Sequence, residues 1–349
     1  MAALVPLIAG QAPCVDAGLL DAARRAMSAN TWRALRADLR VFADWAGALR
    51  LASLPAAPET VAAFLAAQAG LGKKAATLSR YASSIARAHA LAGQADPCRA
   101  ERVRLELKAQ RRALGVRQRQ ARGLRYRGQG ADPRAATPQG VCVEAMLTAA
   151  GSDWPGLRNR ALLSLAFDTG LRRSEIVAAL WAHVEPGSQG GGRLFVPRSK
   201  ADQEGAGAYA YLSPRTMAAL QAWRSAIAAP PGAIFRRLHA ARTRAGATVW
   251  TAGAPLSAQS VTLVYRAMLD QAHATGLLGA IPAADLADWR RALTAHSTRV
   301  GLTQDLFAAG EDLAGIMQAL RWKSPAQPAR YAQALAAEAN AAARVVGGL

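Results

Sequence analysis

The chain has 349 residues, which is more than one ordinary hydrophobic core needs and enough for two domains. Its 43 Lys and Arg against 23 Asp and Glu give a formal charge of +20, which favours a polyanionic partner. Three cysteines without paired spacing argue against a disulfide framework and a structural zinc site, and are typical of a reducing cytoplasm. No apolar stretch is long enough to span a bilayer, so we expect a cytoplasmic protein with no membrane partner.

The first third of the chain predicts a small bundle of four or five helices. Apolar residues in the second of these helices recur at three- and four-residue steps: Trp32, Leu35, Leu39, Phe42 and Trp45. Pro58 occupies the first position of a third helix, and Leu78, Tyr81 and Ile85 share one face of a fourth. We therefore assign residues 1–114 to an N-terminal helical domain.

Positive charge is concentrated between residues 99 and 127, where eleven Arg and Lys stand against two acids. A GC-rich genome explains why only five of the 43 basic residues are Lys, but it does not explain why acids are few. This basic segment either lies along a DNA phosphate backbone or is simply a solvated helix face. As DNA-contacting residues we select these six: Lys108, Arg111, Arg112, Arg122, Arg125 and Arg127.

Residues 115–137 lose all periodicity and are rich in Gly, Arg, Gln and Pro, so we assign them to a basic interdomain linker. The second domain, residues 138–349, begins where Thr137 is positioned to cap a helix with Pro138 at its first position. A helix ends at Gly170, and strands over residues 193–197 and 208–212 flank a polar loop. The sequence thus predicts a mainly α protein whose C-terminal domain carries a small antiparallel β-sheet.

Two motifs in this domain carry groups suited to phosphodiester chemistry. In Gly170-Leu171-Arg172-Arg173-Ser174-Glu175, Arg172 and Glu175 share a helical face, so the carboxylate is positioned to orient neighbouring side chains. An ordinary surface ion pair is the alternative. Arg173 projects about 100° away, toward solvent or a DNA backbone.

The second motif lies near the C-terminus. His296 and Arg299 lie one helical turn apart, and Trp322 carries a donor-only indole that suits a phosphate oxygen or, alternatively, a hydrophobic core. Tyr331 supplies the only evident nucleophile of the group. Lys200, in the polar loop, offers an ammonium group near the site or is simply solvated. No Walker-type loop and no metal-ligand cluster is evident, so the sequence predicts no cofactor, nucleotide or metal.

Taken together and in this order, the motifs resemble those of the tyrosine recombinase, or phage integrase, family. The resemblance extends from about residue 25 to residue 340 and is strongest in the catalytic half. It implies an N-terminal SAM-like core-binding domain and a C-terminal catalytic domain that close around double-stranded DNA. It also implies a site-specific recombinase that acts at an inverted-repeat site, forms a tetramer on DNA, and is associated with the nucleoid.

The family resemblance further implies a role for each site residue. Tyr331 would form a 3′-phosphotyrosyl link without ATP or metal, while Arg172 and Arg299 hold the phosphate. His296 would act as a base or phosphate donor, Trp322 as a phosphate donor, Lys200 as the acid toward the 5′-oxygen and Glu175 as a positioning residue. A type IB topoisomerase-like enzyme and a catalytically silent DNA-binding relative remain the alternatives.

Two features depart from the family pattern. Pro325 and Pro328 precede Tyr331, and either begin its helix or hold the phenol away from the site. The segment Ala319-Leu320-Arg321-Trp322 lacks the Gly that commonly precedes the family's His or Trp. Beyond Tyr331, residues 334–346 are Ala-rich, and the resemblance implies a helical tail that docks into a neighbouring subunit.

Overall fold

The computed structural model describes residues 16–116, 120–128, 137–199, 205–228 and 230–333. The chain divides into two compact units, Met1–Arg119 and Gln120–Leu349. Within the described ranges both units are built mainly from α-helices, and the second also contains two small antiparallel sheets. The predicted fold class is confirmed. No helix in those ranges is long and apolar enough to cross a membrane.

The first unit is a helical bundle. Its helices are α1 Ala17–Ala26, α2 Ala29–Ala48, α3 Pro58–Gly70, α4 Ala75–Leu91 and α5 Glu101–Leu114. In its core Phe42 packs edge to face on Phe64, and Phe64 packs at a tilt against Tyr81, as the helical periodicity requires. Ser28 caps α2 through its hydroxyl, and Pro58 occupies the first turn of α3.

The second unit contains nine of the described α-helices and all five strands. The helices are α6 Val143–Ala149, α7 Trp154–Thr169, α8 Arg173–Ala178, α9 Pro214–Ala226, α10 Ser260–Ala274, α11 Ala283–Ala292, α12 Ser297–Ala308, α13 Leu313–Ala319 and α14 Ala326–Tyr331. The strands are β1 Val184–Pro186, β2 Gly192–Val196, β3 Ala208–Leu212, β4 Arg236–Arg242 and β5 Thr248–Pro255. β1, β2 and β3 pair in that order, and β4 pairs with β5, all antiparallel.

Helix α7 is the central element of this unit. Apolar residues lie on all its faces, and Leu162, Leu163 and Leu165 are all fully buried. A helix that is apolar all round belongs in a core. It ends at Gly170, which adopts a left-handed conformation with φ +54° that costs Gly little. The chain therefore leaves the core directly before Arg172.

One local prediction in this unit was wrong, and one pair of strands was missed. Thr137 and Pro138 do not begin a helix, because Gln139 donates its N–H to the carbonyl of Arg127 and α6 starts only after Cys142. The hairpin β4–β5 was missed altogether. Its first strand is mostly exposed, so it lacks the alternation that marks a half-buried strand.

Residues 120–128 of the predicted linker belong to the second unit. The N–H of Leu124 donates to the carbonyl of Ser297 at 2.9 Å, which joins this segment to the start of α12. Gly301 allows the close approach, since a Cβ there would lie 1.9 Å from the carbonyl oxygen of Leu124. Residues 120–128 thus brace the helix that follows His296.

Candidate active site

His296 and Tyr331 meet although they are 35 positions apart in the sequence. The imidazole Nε2 lies 2.7 Å from the phenol oxygen, and the two rings pack edge to face with centroids 5.6 Å apart. His296 directly precedes α12, and Tyr331 is the last residue of α14. Two helix ends therefore bring a nitrogen base against a phenol.

The two prolines before Tyr331 begin its helix and do not hold the phenol away. Pro325 is the N-cap residue of α14, and Pro328 lies in the first turn, where a missing N–H costs nothing. From α12, the Gln304 side-chain amide donates to the carbonyl of Tyr331 at 3.2 Å. The nucleophile candidate is thus fixed through both its backbone and its hydroxyl.

At the start of α8, the carboxylate of Glu175 accepts two hydrogen bonds from Arg172. The guanidinium donates to Glu175 Oε1 at 2.9 Å, and the backbone N–H of Arg172 donates to Oε2 at 3.0 Å. The Glu175 side chain is 6% exposed and that of Arg172 is 28% exposed. The carboxylate is therefore buried support, while part of the guanidinium reaches solvent.

Arg299 is the most deeply buried charge of the site, with 1% of its surface exposed. One terminal nitrogen donates to the carbonyl of Gly170, and the other donates to the carbonyl of Leu320 at 2.7 Å. Its guanidinium stacks on the Trp322 indole at 4.3 Å from the ring centroid, and Trp322 packs against Tyr331 with ring centroids 5.5 Å apart. Arginine, indole, phenol and imidazole thus form one continuous cluster.

Three buried N–H groups in this cluster and in the adjacent Arg321 have no hydrogen-bond partner within the described part of the chain. They are Arg299 Nε, Trp322 Nε1 and Arg321 Nη1. Leaving a buried donor unpaired costs about 1 to 3 kcal/mol, so such groups are rare without a functional reason. Donors that are mainly cationic and lack acceptors suit an anionic oxygen ligand such as a phosphate.

Burial and the nearby charges together set the pKa values of both central residues. Burial, with help from Arg299 and Arg172, lowers the pKa of His296 to about 4, so its imidazole is neutral at pH 7. Burial raises the pKa of Tyr331, while Arg299, Arg172 and Arg330 act against this rise. In the free protein, a neutral imidazole therefore faces a protonated phenol.

Lys200 lies outside the described residues. The residues that flank its loop, Ser199 and Gly207, line a cavity of about 340 Å³ together with Arg321 and Trp322. The described residues on either side of Lys200 therefore lie close to Arg321 and Trp322.

The residues selected for DNA contact have different environments. Lys108, Arg111 and Arg112 on α5 are exposed, and so is Arg173 on α8. Arg122 is also exposed and stacks on the Trp289 ring at 3.8 Å. These five side chains are accessible to a ligand.

Two of the selected arginines are engaged inside the protein instead. Arg125 is 2% exposed and donates through Nε to Asp305 Oδ1 at 2.6 Å, so its selection as a DNA contact was wrong. Arg127 is 23% exposed and pairs with Glu144 at 2.9 Å. Composition alone does not distinguish a guanidinium that pairs inside from one that faces solvent.

Sequence reasoning also missed three residues of this region. Gln304 holds the backbone of Tyr331, and Asp305 anchors residues 120–128 to α12. Arg321 sends its guanidinium toward the end of α7, where it donates to the carbonyl of Thr169 at 3.0 Å. The one sequence signal for Arg321 was that the segment before Trp322 lacks the Gly that the family commonly has there.

Comparison with protein families identifies the chain. The model of the phage integrase family matches residues 141–338, more than half of the sequence. The chain belongs to the phage integrase family. The family's N-terminal SAM-like domain matches residues 22–94, which lie in the first unit. The predicted membership among the tyrosine recombinases is confirmed.

Individual relatives of this integrase-family protein are distant. An integrase/recombinase XerD homolog from Selenomonas ruminantium is 31% identical over 185 residues, which are 51% of this chain and 49% of the relative. The chain thus spans about half the length of the curated relative it matches.

Solved structures share the fold at low identity. The XerH site-specific recombinase bound to its difH substrate, in a pre-cleavage complex, has a TM-score of 0.54 at 15% identity, covering 93% of this chain and 84% of the other. The Tn1549 transposon integrase in complex with a circular intermediate DNA has a TM-score of 0.54 at 13% identity, covering 94% of each chain.

Proposed function

We propose that this protein is a site-specific DNA recombinase that cleaves and rejoins duplex DNA through a 3′-phosphotyrosyl intermediate. The observation that carries this proposal is the contact between His296 and Tyr331, enclosed by Arg299 and Trp322. A phenol next to a neutral base, beside buried donors without acceptors, is the arrangement that nucleophilic attack on a phosphodiester needs.

In the proposed cleavage step, Tyr331 Oη attacks the scissile phosphorus. A bond forms between Oη and phosphorus, the bond from phosphorus to the 5′-oxygen breaks, and the phenolic proton passes to His296 Nε2. One phosphate ester replaces another, so its energy is conserved and the cycle needs no ATP. Rejoining is the reverse step, with the 5′-hydroxyl of the partner strand as nucleophile.

The arginines connect phosphate binding to activation of the phenol. Arg172 and Arg299 would bind the non-bridging oxygens, where negative charge increases in the transition state. A phosphate between them also offsets the positive charge that lowers the pKa of His296. We therefore expect the imidazole to become a stronger base once DNA is bound.

Three further side chains complete the proposed site. Trp322 would donate through Nε1 to the phosphate, and Glu175 would hold Arg172 in place through the two hydrogen bonds at the start of α8. Lys200 would protonate the departing 5′-oxygen, a role that suits a titratable ammonium.

The proposed partner is double-stranded DNA with an inverted-repeat site, on which the protein would assemble as a tetramer. The exposed basic residues Lys108, Arg111, Arg112, Arg122 and Arg173 are proposed to contact its phosphates. The tail at residues 334–346, proposed to link subunits, lies outside the described residues.

A plasmid assay distinguishes this function from its alternatives. The protein would first enrich its inverted-repeat site from random duplex DNA, and two copies of that site would be placed in one supercoiled plasmid. We expect deletion or inversion products that require both sites, and none from Tyr331→Phe. Relaxation of a plasmid without sites would indicate a type IB topoisomerase-like enzyme, and binding without any product would indicate a silent DNA-binding relative.

A further inference from the structure

The residue before Trp322 is an arginine in a backbone conformation that favours glycine. Arg321 has φ +54°, in the left-handed region, which costs a residue with a Cβ about 1 kcal/mol or more. Non-Gly residues persist in such a conformation only where the surrounding structure enforces it, and they are found more often at functional sites. Arg321 therefore requires an explanation that a loop connection alone does not provide.

Its side chain turns back into the active site. Arg321 Nη2 donates to the carbonyl of Thr169, and Arg299 donates to the carbonyl of Gly170, the next residue along the chain. Both guanidiniums thus dock on consecutive carbonyls at the C-terminal end of α7, where the helix dipole attracts cations. Arg321 Nη1 is buried and has no partner among the described residues.

The charges around Arg321 are incompletely balanced. It interacts with Arg172 and Glu175, and it adds to the positive field around Arg299, whose pKa is lowered to about 9 by burial and by Arg172 and Arg321. Three guanidiniums thus gather around one carboxylate. An anion with a double negative charge, such as the pentacovalent state of a phosphodiester under attack, would balance them.

We propose that Arg321 is a third phosphate-binding arginine of this active site, donating through Nη1 to a non-bridging oxygen of the scissile phosphate. This inference rests on the proposed function. The alternative is that Arg321 only attaches the segment after α13 to α7.

The test measures covalent adduct formation on a nicked duplex that carries the enriched inverted-repeat site. One duplex has a normal scissile phosphate, and a second has a neutral methylphosphonate there. Arg321→Gly suits the local backbone and removes the guanidinium. We expect it to slow adduct formation about 100-fold or more on the phosphate, but by a much smaller factor on the methylphosphonate, which has less charge to bind. Arg321→Lys keeps the positive charge but lacks the planar guanidinium. Its rate of adduct formation on the phosphate should lie between those of wild type and Arg321→Gly.

The matched control is Arg290→Gln, which alters an exposed arginine paired with Asp270 and should change neither rate. Equal slowing of Arg321→Gly on both duplexes would indicate a structural role and overturn the inference, and so would an unchanged rate on both. If wild type formed no adduct on either duplex, the proposed function itself would fail, which is a distinct result.

Discussion

The protonation states of His296 and Tyr331 depend on burial and on the charges of two arginines. Burial and the charges of Arg299 and Arg172 keep the imidazole neutral, and in the tautomer that carries its hydrogen on Nδ1, Nε2 accepts a hydrogen bond from the phenol. The same arginines oppose the rise that burial causes in the pKa of Tyr331. Phosphate binding would therefore change the pKa values of both the base, His296, and the nucleophile, Tyr331.

The lowered pKa of His296 makes stability depend on pH. The imidazole has a pKa of about 4 when folded and about 6.5 when unfolded, so the unfolded chain takes up its proton first. The free energy of unfolding should thus be highest above pH 6.5 and fall as the pH decreases toward 4. Between pH 7 and 5 we expect wild type to lose about 1 kcal/mol more than His296→Asn, after allowance for solvent screening.

Urea unfolding at both pH values measures this difference. His89 and the carboxylates are common to both proteins, so their contributions cancel. Parallel stability profiles for the two proteins would show that His296 is not held neutral by its surroundings.

Sequence reasoning and structure differ most clearly at individual arginines. Arg172 and Arg299 were selected because spacing and family motif agreed. Arg299 lies in the cluster, and the charge of Arg172 acts on His296. Arg125 and Arg321 show no such pattern, because the role of each depends on a partner more than a hundred positions away. Tertiary pairing of this kind leaves no periodic signal in one sequence.

At the level of elements, the site is an arrangement of helix ends. The end of α7 supplies carbonyls to Arg299, the start of α8 presents Arg172, and the end of α14 carries Tyr331. Gly170 marked the end of α7 in the sequence, since Gly has a strong preference for the position that follows a helix. The brace formed by residues 120–128 was interpreted as a linker, because an extended segment pinned by single contacts lacks a repeating pattern.

This brace gives Arg125 a structural role. Arg125→Met would leave Asp305 buried without its cationic partner, so we expect the free energy of unfolding of the second unit to fall by about 3 kcal/mol. Urea unfolding checks this, with Arg173→Gln as the control, because Arg173 is an exposed arginine whose loss should leave stability nearly unchanged. Unchanged stability together with a flatter salt dependence of DNA binding would instead restore Arg125 as a phosphate contact.

At the scale of the whole molecule, the division into a helical bundle and a mostly helical unit with a small sheet was predictable. The apolar periodicity of α2 to α4 and the strands β2 and β3 carried enough signal. Strands β4 and β5 were not predictable from the sequence. Their only signal was weak: Val249 and Trp250, which favour strands, follow the turn at Gly246. The excess positive charge is consistent with a DNA partner but does not identify a site.

The central claim is that Tyr331 becomes covalently joined to DNA. The most direct measurement is mass spectrometry of the peptide that remains attached after the protein reacts with a nicked duplex bearing its enriched site. We predict that the DNA is linked through its 3′-phosphate to Tyr331, and that Tyr331→Phe forms no adduct while it still binds the duplex. An adduct on another residue, or one that persists in Tyr331→Phe, would contradict the account.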